Sequence, residues 1–285
     1  MNTYLLDCAH KVAQLKAEQI CHYTSLETVQ KIFSNKELWA FGADCMNDTK
    51  EVYFYLQGLE KALLDDEDLA IHKIEIHQFF DKIYCMLKDN FPFILCISRR
   101  KDDAGMYYQY ADGGKGCCIV FNTMQLIQTF RGYLINEVFY GFIPRNERHF
   151  TILKTFYSTG ELLDNFYSLE SYTSNLLATA SLLKHESFRA EDEIRVAELC
   201  WIPKEEITHN TIRDNMGRSR QVIKISLEKL CHKNGTDLED LVDEIILGPC
   251  SDIKIEDFQE QILSMGYGKL AKKIRLSNCP MRKNG

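Results

Sequence analysis

The sequence is short of the residues that interrupt regular structure. Five prolines and fifteen glycines in 285 residues leave no room for long disordered or low-complexity arms. No apolar run approaches the roughly 20 residues of a membrane-spanning helix, and the opening stretch MNTYLLDCAHKVAQLK is too polar for a signal peptide. These absences predict a compact cytoplasmic protein, with residues 1–285 forming a single domain that begins with an amphipathic helix at residues 1–19.

Paired cysteine motifs are missing too. The eleven cysteines are odd in number and include no C-x-x-C pair. Most of them lie within apolar runs, which is typical of buried thiols in a reducing compartment. We therefore expect neither a zinc site nor an iron–sulfur site.

The charge balance and the lack of familiar motifs exclude several function classes. A net charge of -7 argues against a generally basic nucleic-acid binder, and the basic stretches IRDNMGRSRQ and SRRK are most simply solvated loops. The chain has no Walker loop, no G-x-G-x-x-G behind a strand, no G-x-S-x-G and no H-E-x-x-H. The glycine-rich GGKG at 113–116 is typical of a turn rather than a phosphate cradle.

Charged and apolar residues alternate in the stretch SFRAEDEIRVAEL. On a strand, this order places Glu191, Glu193 and Arg195 on one face, while Ile194 and Val196 face the core. Two carboxylates about 7 Å apart on a strand, with a guanidinium beside them, form either a solvated salt-bridge ladder or one wall of a site that needs negative charge.

Further polar and aromatic candidates lie at a strand end and on a short helix. The predicted strand QICHYT ends in His22, Tyr23 and Thr24, and a lone histidine in such a place is usually structural. The helix predicted in MYYQYAD places Tyr107 and Tyr110 on one face. Such a stripe is normally core, although tyrosine rings also serve as platforms for flat ligands.

Helical and extended patterns do not alternate strictly along the chain. Thr24 with Glu27 is predicted to cap the helix SLETVQKIFSN, and Asp48 with Glu51 to cap the helix after it. Residues 146–184 look helical in two segments, whereas FPFILCISRR, KGCCIVFN and YLINEVFYG suit a buried sheet. This order favours an α+β fold over a doubly wound parallel fold.

Taken together, these segments resemble a known family. An uncharacterised bacterial family, domain of unknown function two-nine-seven-one (DUF2971), has a similar order of segments: HYTSLETVQKIFSNKELW, MNDTKE, FILCIS, MYYQYADGGKGCCIVF, LLKHESFRAEDEIRV and EIILGP. The resemblance runs over roughly residues 20–250. That family commonly has tryptophan where Tyr107 and Phe188 stand here, which exchanges one aromatic residue for another.

By fold analogy, this family looks similar to the ADP-ribosyltransferases, which split NAD at the nicotinamide glycosidic bond. The resemblance implies a split, mixed or antiparallel sheet surrounded by helices, in a bacterial toxin or in defence against phage. It implies NAD as the substrate, with either transfer to a macromolecular acceptor or hydrolysis by an NAD glycohydrolase. It implies that Glu193 stabilises the ribose cation, with Glu191 as its E-x-E partner. Arg195 would orient Glu193 or contact a phosphate.

The same resemblance implies the residues that bind NAD. His22, in an H-Y-T string with Tyr23 and Thr24, would bond the ribose on the adenosine side. Tyr107 or Tyr110 would stack on the nicotinamide ring, a flat cation that prefers ring faces.

Other readings of the same residues stay open. A degenerate site on this fold would be a module that binds a nucleotide, a nucleic acid or a protein. The NAD-dependent phosphotransferases that act on RNA ends share the fold but need a basic cleft. The net charge of -7 therefore argues against this third function. Lys184 and His185 lie shortly before Glu191, and a cation so near a carboxylate most often forms an ion pair on the surface. If Arg195, Lys184 or Arg189 neutralised both acids, the charged residues would form a purely structural network.

Overall fold

The protein is built around one large sheet. The computed structural model describes residues 19–43, 52–89, 91–160, 169–199, 204–213 and 217–281. Its strands are β1 (Ile20–Thr24), β2 (Glu37–Gly42), β3 (Phe93–Ser98), β4 (Cys117–Phe121), β5 (Leu134–Glu137), β6 (Phe139–Tyr140), β7 (Leu183–Lys184), β8 (Glu193–Glu198), β9 (Ile207–Arg213), β10 (Ser219–Ser226), β11 (Val242–Leu247) and β12 (Ile274–Leu276). Ten of these described strands form a sheet in the order β12-β11-β4-β1-β3-β2-β10-β9, with β8 beside β3 and β5 beside β8.

Most neighbouring strands of this sheet run antiparallel, whereas β11 and β12 run parallel. Strands β6 and β7 form a separate parallel pair. The α-helices are α1 (Leu26–Asn35), α2 (Tyr53–Leu64), α3 (Lys73–Asp89), α4 (Ala104–Tyr110), α5 (Thr123–Thr129), α6 (Arg148–Thr159), α7 (Leu169–Ala180), α8 (Leu227–Asn234), α9 (Leu238–Leu241), α10 (Ile255–Ser264) and α11 (Gly268–Ala271). The fold is therefore α+β, as predicted, with a mixed, mainly antiparallel sheet and surrounding helices.

Alternation along the strands separates two faces of the sheet. Residues such as Ile119 and Ile194 point into the main core, which also contains side chains of α1, α5, α8 and α10. On the opposite face, α2, α3, α6 and α7 cover the region of Ile94 on β3, while α4 covers the region of Val120 on β4. Each fully buried isoleucine or valine side chain contributes about 1.5–3 kcal/mol to the free energy of folding. Two separate clusters on one face leave a gap between them.

Strand β3 shares one of its edges between two other strands. Strand β8 pairs with β3 over its full length and so occupies the first edge. On the second edge, β2 pairs at Phe93 and Ile94, whereas β1 pairs at Ser98. Strands β1 and β2 therefore diverge between these points, and the sheet is split beside the middle of β3.

Local sequence signals predicted several of these elements within a few residues. Two helices, α6 and α7, lie within residues 146–184 as expected, and Gly160, in the left-handed conformation, follows the last residue of α6. The expected helical range is too long at its end, because Leu183 and Lys184 form β7. The capping box of Thr24 and Glu27 is wrong, because the N-cap of α1 is Ser25, whose hydroxyl accepts from the N–H of Thr28 at 3.0 Å. Thr24 is held in β1 instead, since it pairs with β4.

Two further corrections concern strands. The strand predicted in SFRAEDEIRVAEL begins only at Glu193, because Asp192 has a positive φ of 46° that interrupts the extended chain. The basic stretch IRDNMGRSRQ, expected to be a solvated loop, contributes Arg213 to β9 and Arg220 to β10, which pair along their length. Strand β9 has no clear apolar alternation, so its pairing with β10 rather than its own pattern defines it.

Some expectations fall outside what the structure describes. The helix expected at residues 1–19 falls outside the described residues except for Gln19. The cap expected from Asp48 and Glu51 also falls outside them. Among the described helices, none combines the length and the apolar character needed to cross a membrane. Of the described cysteines, those buried as free thiols are Cys21, Cys117, Cys118, Cys231 and Cys250, whereas Cys85 is exposed.

The GGKG stretch is a turn, as predicted. It leads from α4 to β4 through a 3-10 turn, Asp112–Gly114, in which Gly113 has a φ of 63°. Gly116 lies where this turn meets β1. A Cβ atom at Gly116 would overlap the carbonyl oxygen of Thr24 and approach Ala111 to 3.0 Å, so only glycine fits this close approach of two backbones.

Replacing Gly116 by alanine should destabilise the protein by about 1–3 kcal/mol, because the added methyl group meets backbone rather than a movable side chain. Gly268→Ala is the matched control, since the nearest atom to its Cβ is Leu263 Cδ1 at 3.8 Å, and it should change stability little. Urea denaturation measures both variants. Equal midpoints in the two would contradict the close approach at Gly116.

Candidate functional site

A cavity opens where the sheet is split. Its volume is about 120 Å³, slightly less than the roughly 150 Å³ of an engineered protein cavity that takes up benzene. It can therefore enclose one ring-sized group. The structure places His22, Tyr110 and Glu193 at this same cavity, although they come from β1, α4 and β8.

Glu193 is the more deeply buried of the two acids at the cavity, at 3% exposed. Its Oε1 accepts a hydrogen bond from Arg195 Nε at 2.8 Å. Its Oε2 accepts from Lys184 Nζ at 3.0 Å and from Arg195 Nη2 at 3.3 Å. Arg195 shares the face of Glu193, as predicted, is fully buried and also donates to the Ser181 carbonyl at 2.7 Å. Both oxygens of Glu193 are thus held in place.

Glu191 reaches the cavity from a different element than predicted. It ends a 3-10 turn, Glu186–Glu191, and the left-handed Asp192 separates it from β8. Its Oε1 accepts from the Tyr110 hydroxyl at 2.6 Å, and its Oε2 accepts from Lys184 Nζ at 2.7 Å. The two acids therefore meet at one lysine instead of occupying alternate positions of a strand.

The expectation that Lys184 forms a surface pair is wrong. Lys184 is 5% exposed and lies between both acids, on the short strand β7 that pairs with β6. Its Nζ also lies 4.8 Å from the ring centroid of Phe188. Arg189 is exposed and pairs with Glu186, away from the cavity. Lys184 and Arg195 are therefore the cations that face Glu193.

His22 bridges the split between β1 and β3. Its Nδ1 lies 3.0 Å from the carbonyl oxygen of Cys96, and because a carbonyl can only accept, this nitrogen carries a proton. Burial lowers the pKa of His22, and the hydrogen bond to Cys96 opposes that effect in part. A neutral ring protonated at Nδ1 has Nε2 as an acceptor, which suits a hydroxyl donor.

The other sequence candidates divide between cavity and core. Tyr23 lines the cavity. Tyr107 is fully buried, and its ring packs edge-to-face against Tyr23 with the ring centroids 5.0 Å apart. Neither Tyr107 nor Thr24 lines the cavity, whereas the half-buried Tyr110 does. Of the two tyrosines expected to stack on a ligand, Tyr110 is therefore the one placed to do so.

Sequence reasoning missed several residues around the acids. Cys96 and Ser98 line the cavity as direct cross-strand partners of Arg195 and Glu193, and directly opposite residues of antiparallel strands share a face. Tyr140 also lies close, since its hydroxyl accepts from the backbone N–H of Glu193 at 2.7 Å. Alternation in FILCIS identifies which residues of β3 share a face, but the strand pairing that brings them to the acids has no local signal.

The charges around the cavity favour an ionised Glu193. Burial by itself raises the pKa of this carboxyl, but the charges of Arg195 and Lys184 outweigh burial and hold the pKa at about 2. Burial, reinforced by Glu193, raises the pKa of the Cys96 thiol well above its usual range. Burial also raises the pKa of Tyr140 to about 12. At neutral pH, a carboxylate therefore lies beside a neutral thiol and a neutral phenol.

Comparison with known proteins concerns this same part of the chain. Residues 106–196 match the model of a family described as a protein of unknown function, DUF2971. The family resemblance is thereby confirmed over these residues. The DUF2971 match includes the acids, both cations and Tyr110, whereas His22 lies outside it. No curated protein and no solved structure matches the chain.

The residues that the structure describes contain no cluster of potential metal ligands. Within those residues, no group of three histidine, cysteine, aspartate or glutamate side chains is arranged to hold a metal ion. The two acids of the cavity are instead bonded to protein cations.

Glu193 should make the stability of the protein depend on pH. Its pKa of about 2 in the folded protein lies below the ordinary value of 4.5. The stabilisation is therefore complete above about pH 4.5 and is lost as the pH falls toward 2. A difference of this size corresponds to about 3 kcal/mol in full, of which about 2 kcal/mol should be lost between about pH 6 and about pH 3.

Urea denaturation at several pH values in this range, on the parent protein and on Glu193→Gln, measures this contribution. Between about pH 6 and about pH 3, the free energy of unfolding of Glu193→Gln should fall by about 2 kcal/mol less than that of the parent. Glu186→Gln is the control, because it removes an exposed pair with Arg189 that water screens. Parallel pH curves for the parent and Glu193→Gln would rule out the low pKa of Glu193.

Proposed function

We propose that the cavity is the NAD site of an ADP-ribosyltransferase-like enzyme, which cleaves the nicotinamide glycosidic bond and transfers ADP-ribose to a macromolecule. The observation that carries the proposal is that His22, Tyr110 and Glu193 line one cavity. The family analogy assigns these residues to ribose binding, ring stacking and stabilisation of the ribose cation. The split, mainly antiparallel sheet supports the proposal only in its general form, because the family analogy implies a split, mixed or antiparallel sheet surrounded by helices.

The chemistry of the bond explains why a fixed anion is needed. When the bond between C1′ and the nicotinamide nitrogen breaks, the electron pair leaves with nicotinamide and C1′ becomes positively charged. A carboxylate held in place stabilises that charge more in the transition state than in the ground state. Glu193 meets this requirement, because Arg195 and Lys184 hold both of its oxygens.

The second half of the reaction needs a proton acceptor. A nucleophile of the acceptor molecule, or water, forms the new bond to C1′ and releases a proton. Glu191 is assigned to this step because it is the more exposed acid, at 8% against 3% for Glu193. Its two oxygens are bonded to Tyr110 and Lys184, which keeps the carboxylate at the cavity.

The size of the cavity limits which part of NAD enters it. A volume of about 120 Å³ encloses one ring, so the ribose or the nicotinamide ring would enter while the rest of NAD lies along the surface outside. Tyr110 then offers a ring face, and the neutral His22 offers an acceptor for a ribose hydroxyl.

A second candidate function is a binding module that recognises a nucleotide without turning it over. The observation that favours it is the ion pairing of both acids: Lys184 contacts Glu191 and Glu193, and Arg195 contacts Glu193. Such a network is also a stable structural unit without any reaction. The two functions differ in turnover, which is measurable.

Purified protein, incubated with NAD labelled in its adenine part and with bacterial lysate, should release nicotinamide and label a macromolecule. Glu193→Gln keeps the shape but removes the charge, so the rate should fall roughly 100-fold or more. Glu198→Gln is the matched control, because Glu198 is a buried acid of the same strand that pairs with Lys204 outside the cavity. The control should keep the parental rate. Absence of nicotinamide release by the parent, or equal rates in the parent and Glu193→Gln, would reject the enzymatic proposal.

Ligand binding should raise the melting temperature in a saturable way, whichever of the two functions holds. NAD and ADP-ribose are the probes. Tyr110→Ala should abolish most of the rise because it removes the ring face at the cavity, whereas Tyr108→Ala, on the same helix but 66% exposed, should not. Saturable shifts without nicotinamide release would select the binding module. An unchanged shift in Tyr110→Ala would show that Tyr110 does not contact the ligand.

A further inference from the structure

We propose that Lys184 is a positioning residue, which holds Glu191 and Glu193 in a fixed arrangement at the cavity and thereby sets the lowest pH at which the site works. This inference rests on the proposed function, because it concerns the acids assigned there. The sequence offers Lys184 only as one of three cations that could neutralise the acids, and the family analogy gives it no part in positioning them.

One ammonium group joins the two acids. Lys184 Nζ lies 2.7 Å from Glu191 Oε2 and 3.0 Å from Glu193 Oε2. Two carboxylates that share a site repel each other, and without a cation between them one of them takes up a proton. Because Lys184 is 5% exposed, water screens these charges little. Lys184 therefore allows both acids to be charged side by side.

The backbone holds Lys184 in place independently of any ligand. In the parallel pairing of β6 and β7, Tyr140 is the partner of Lys184. The carbonyl of Lys184 accepts from the N–H of Gly141 at 3.0 Å. The ring of Phe188 lies 4.8 Å from Nζ, which is a favourable cation–π distance. The ammonium is thus fixed on three sides, by two carboxylates and an aromatic ring.

The groups that face Glu193 come from several elements. They are Arg195 on β8, Lys184 on β7, Glu191 on the 3-10 turn, Tyr140 on β6, Cys96 on β3, His22 on β1 and Tyr110 on α4. Burial raises the pKa values of Cys96 and Tyr140 and lowers that of His22, so these three are neutral near pH 7. Removal of Lys184 leaves Arg195 alone against two carboxylates.

Lys184→Met removes the ammonium and keeps an apolar stem of similar length. A proton should then bind the acids at higher pH, so the acid limb of nicotinamide release against pH should move up by about one to three pH units. Lys184→Arg keeps the charge and should restore the parental limb. Lys154→Met is the matched control, because Lys154 also joins two acids, Asp66 at 2.9 Å and Asp68 at 2.7 Å, outside the cavity. The control should leave the acid limb unchanged.

A second readout separates this inference from the proposed function. If the parent releases no nicotinamide at any pH, the proposed function fails, and the titration of Glu193 is then measured from urea unfolding against pH, with Glu193→Gln to identify its contribution. Lys184→Met should move that titration upward. If Lys184→Met does not fold, Lys184→Gln, which keeps an amide donor at the acids, is measured in its place. An unchanged titration of Glu193 in the variant that folds would overturn the role of Lys184.

Discussion

The arrangement of the cavity depends on one buried ion-pair network, formed by Glu191, Glu193, Lys184 and Arg195. Moving a carboxylate out of water costs several kcal/mol, and attraction to a cation offsets that cost only when the remaining oxygens are bonded as well. Here each oxygen of both acids accepts at least one hydrogen bond. The network joins β7, β8 and the 3-10 turn between them. The same side chains therefore hold the cavity wall together and supply its charges.

The split in the sheet lies beside the middle of β3. Because β1 and β2 use opposite ends of one edge of β3, backbone groups in the middle of that edge need other partners. His22 supplies one, since its ring bonds to the Cys96 carbonyl, and a buried carbonyl without a partner would be costly. The histidine thus has a structural role, as a lone histidine at a strand end usually does, and contact with a ligand would use its other nitrogen.

Both proposed functions use the same cavity, which is large enough for one ring and has the charged Glu193 in its wall. In a transferase, the cations around Glu193 would hold the acid in position without removing it from the reaction, because each carboxylate oxygen can accept more than one hydrogen bond. The DUF2971 match covers the residues that form the ion-pair network. The network is therefore part of the segment in which the chain resembles that family.

Local pattern in the sequence was enough to predict the faces of Glu193, Ile194, Arg195 and Val196 on β8. A period of two is a local property of an extended chain, so Glu193 and Arg195 were assigned to one face and Ile194 to the core, and the α+β class followed from the order of such segments. Three outcomes follow from the folded chain instead: Glu191 reaches the cavity from a turn, Tyr110 rather than Tyr107 lines it, and Lys184 is buried. These outcomes depend on which distant strands and helices lie together, and burial of a lysine is decided by those long-range contacts rather than by its neighbours in the chain.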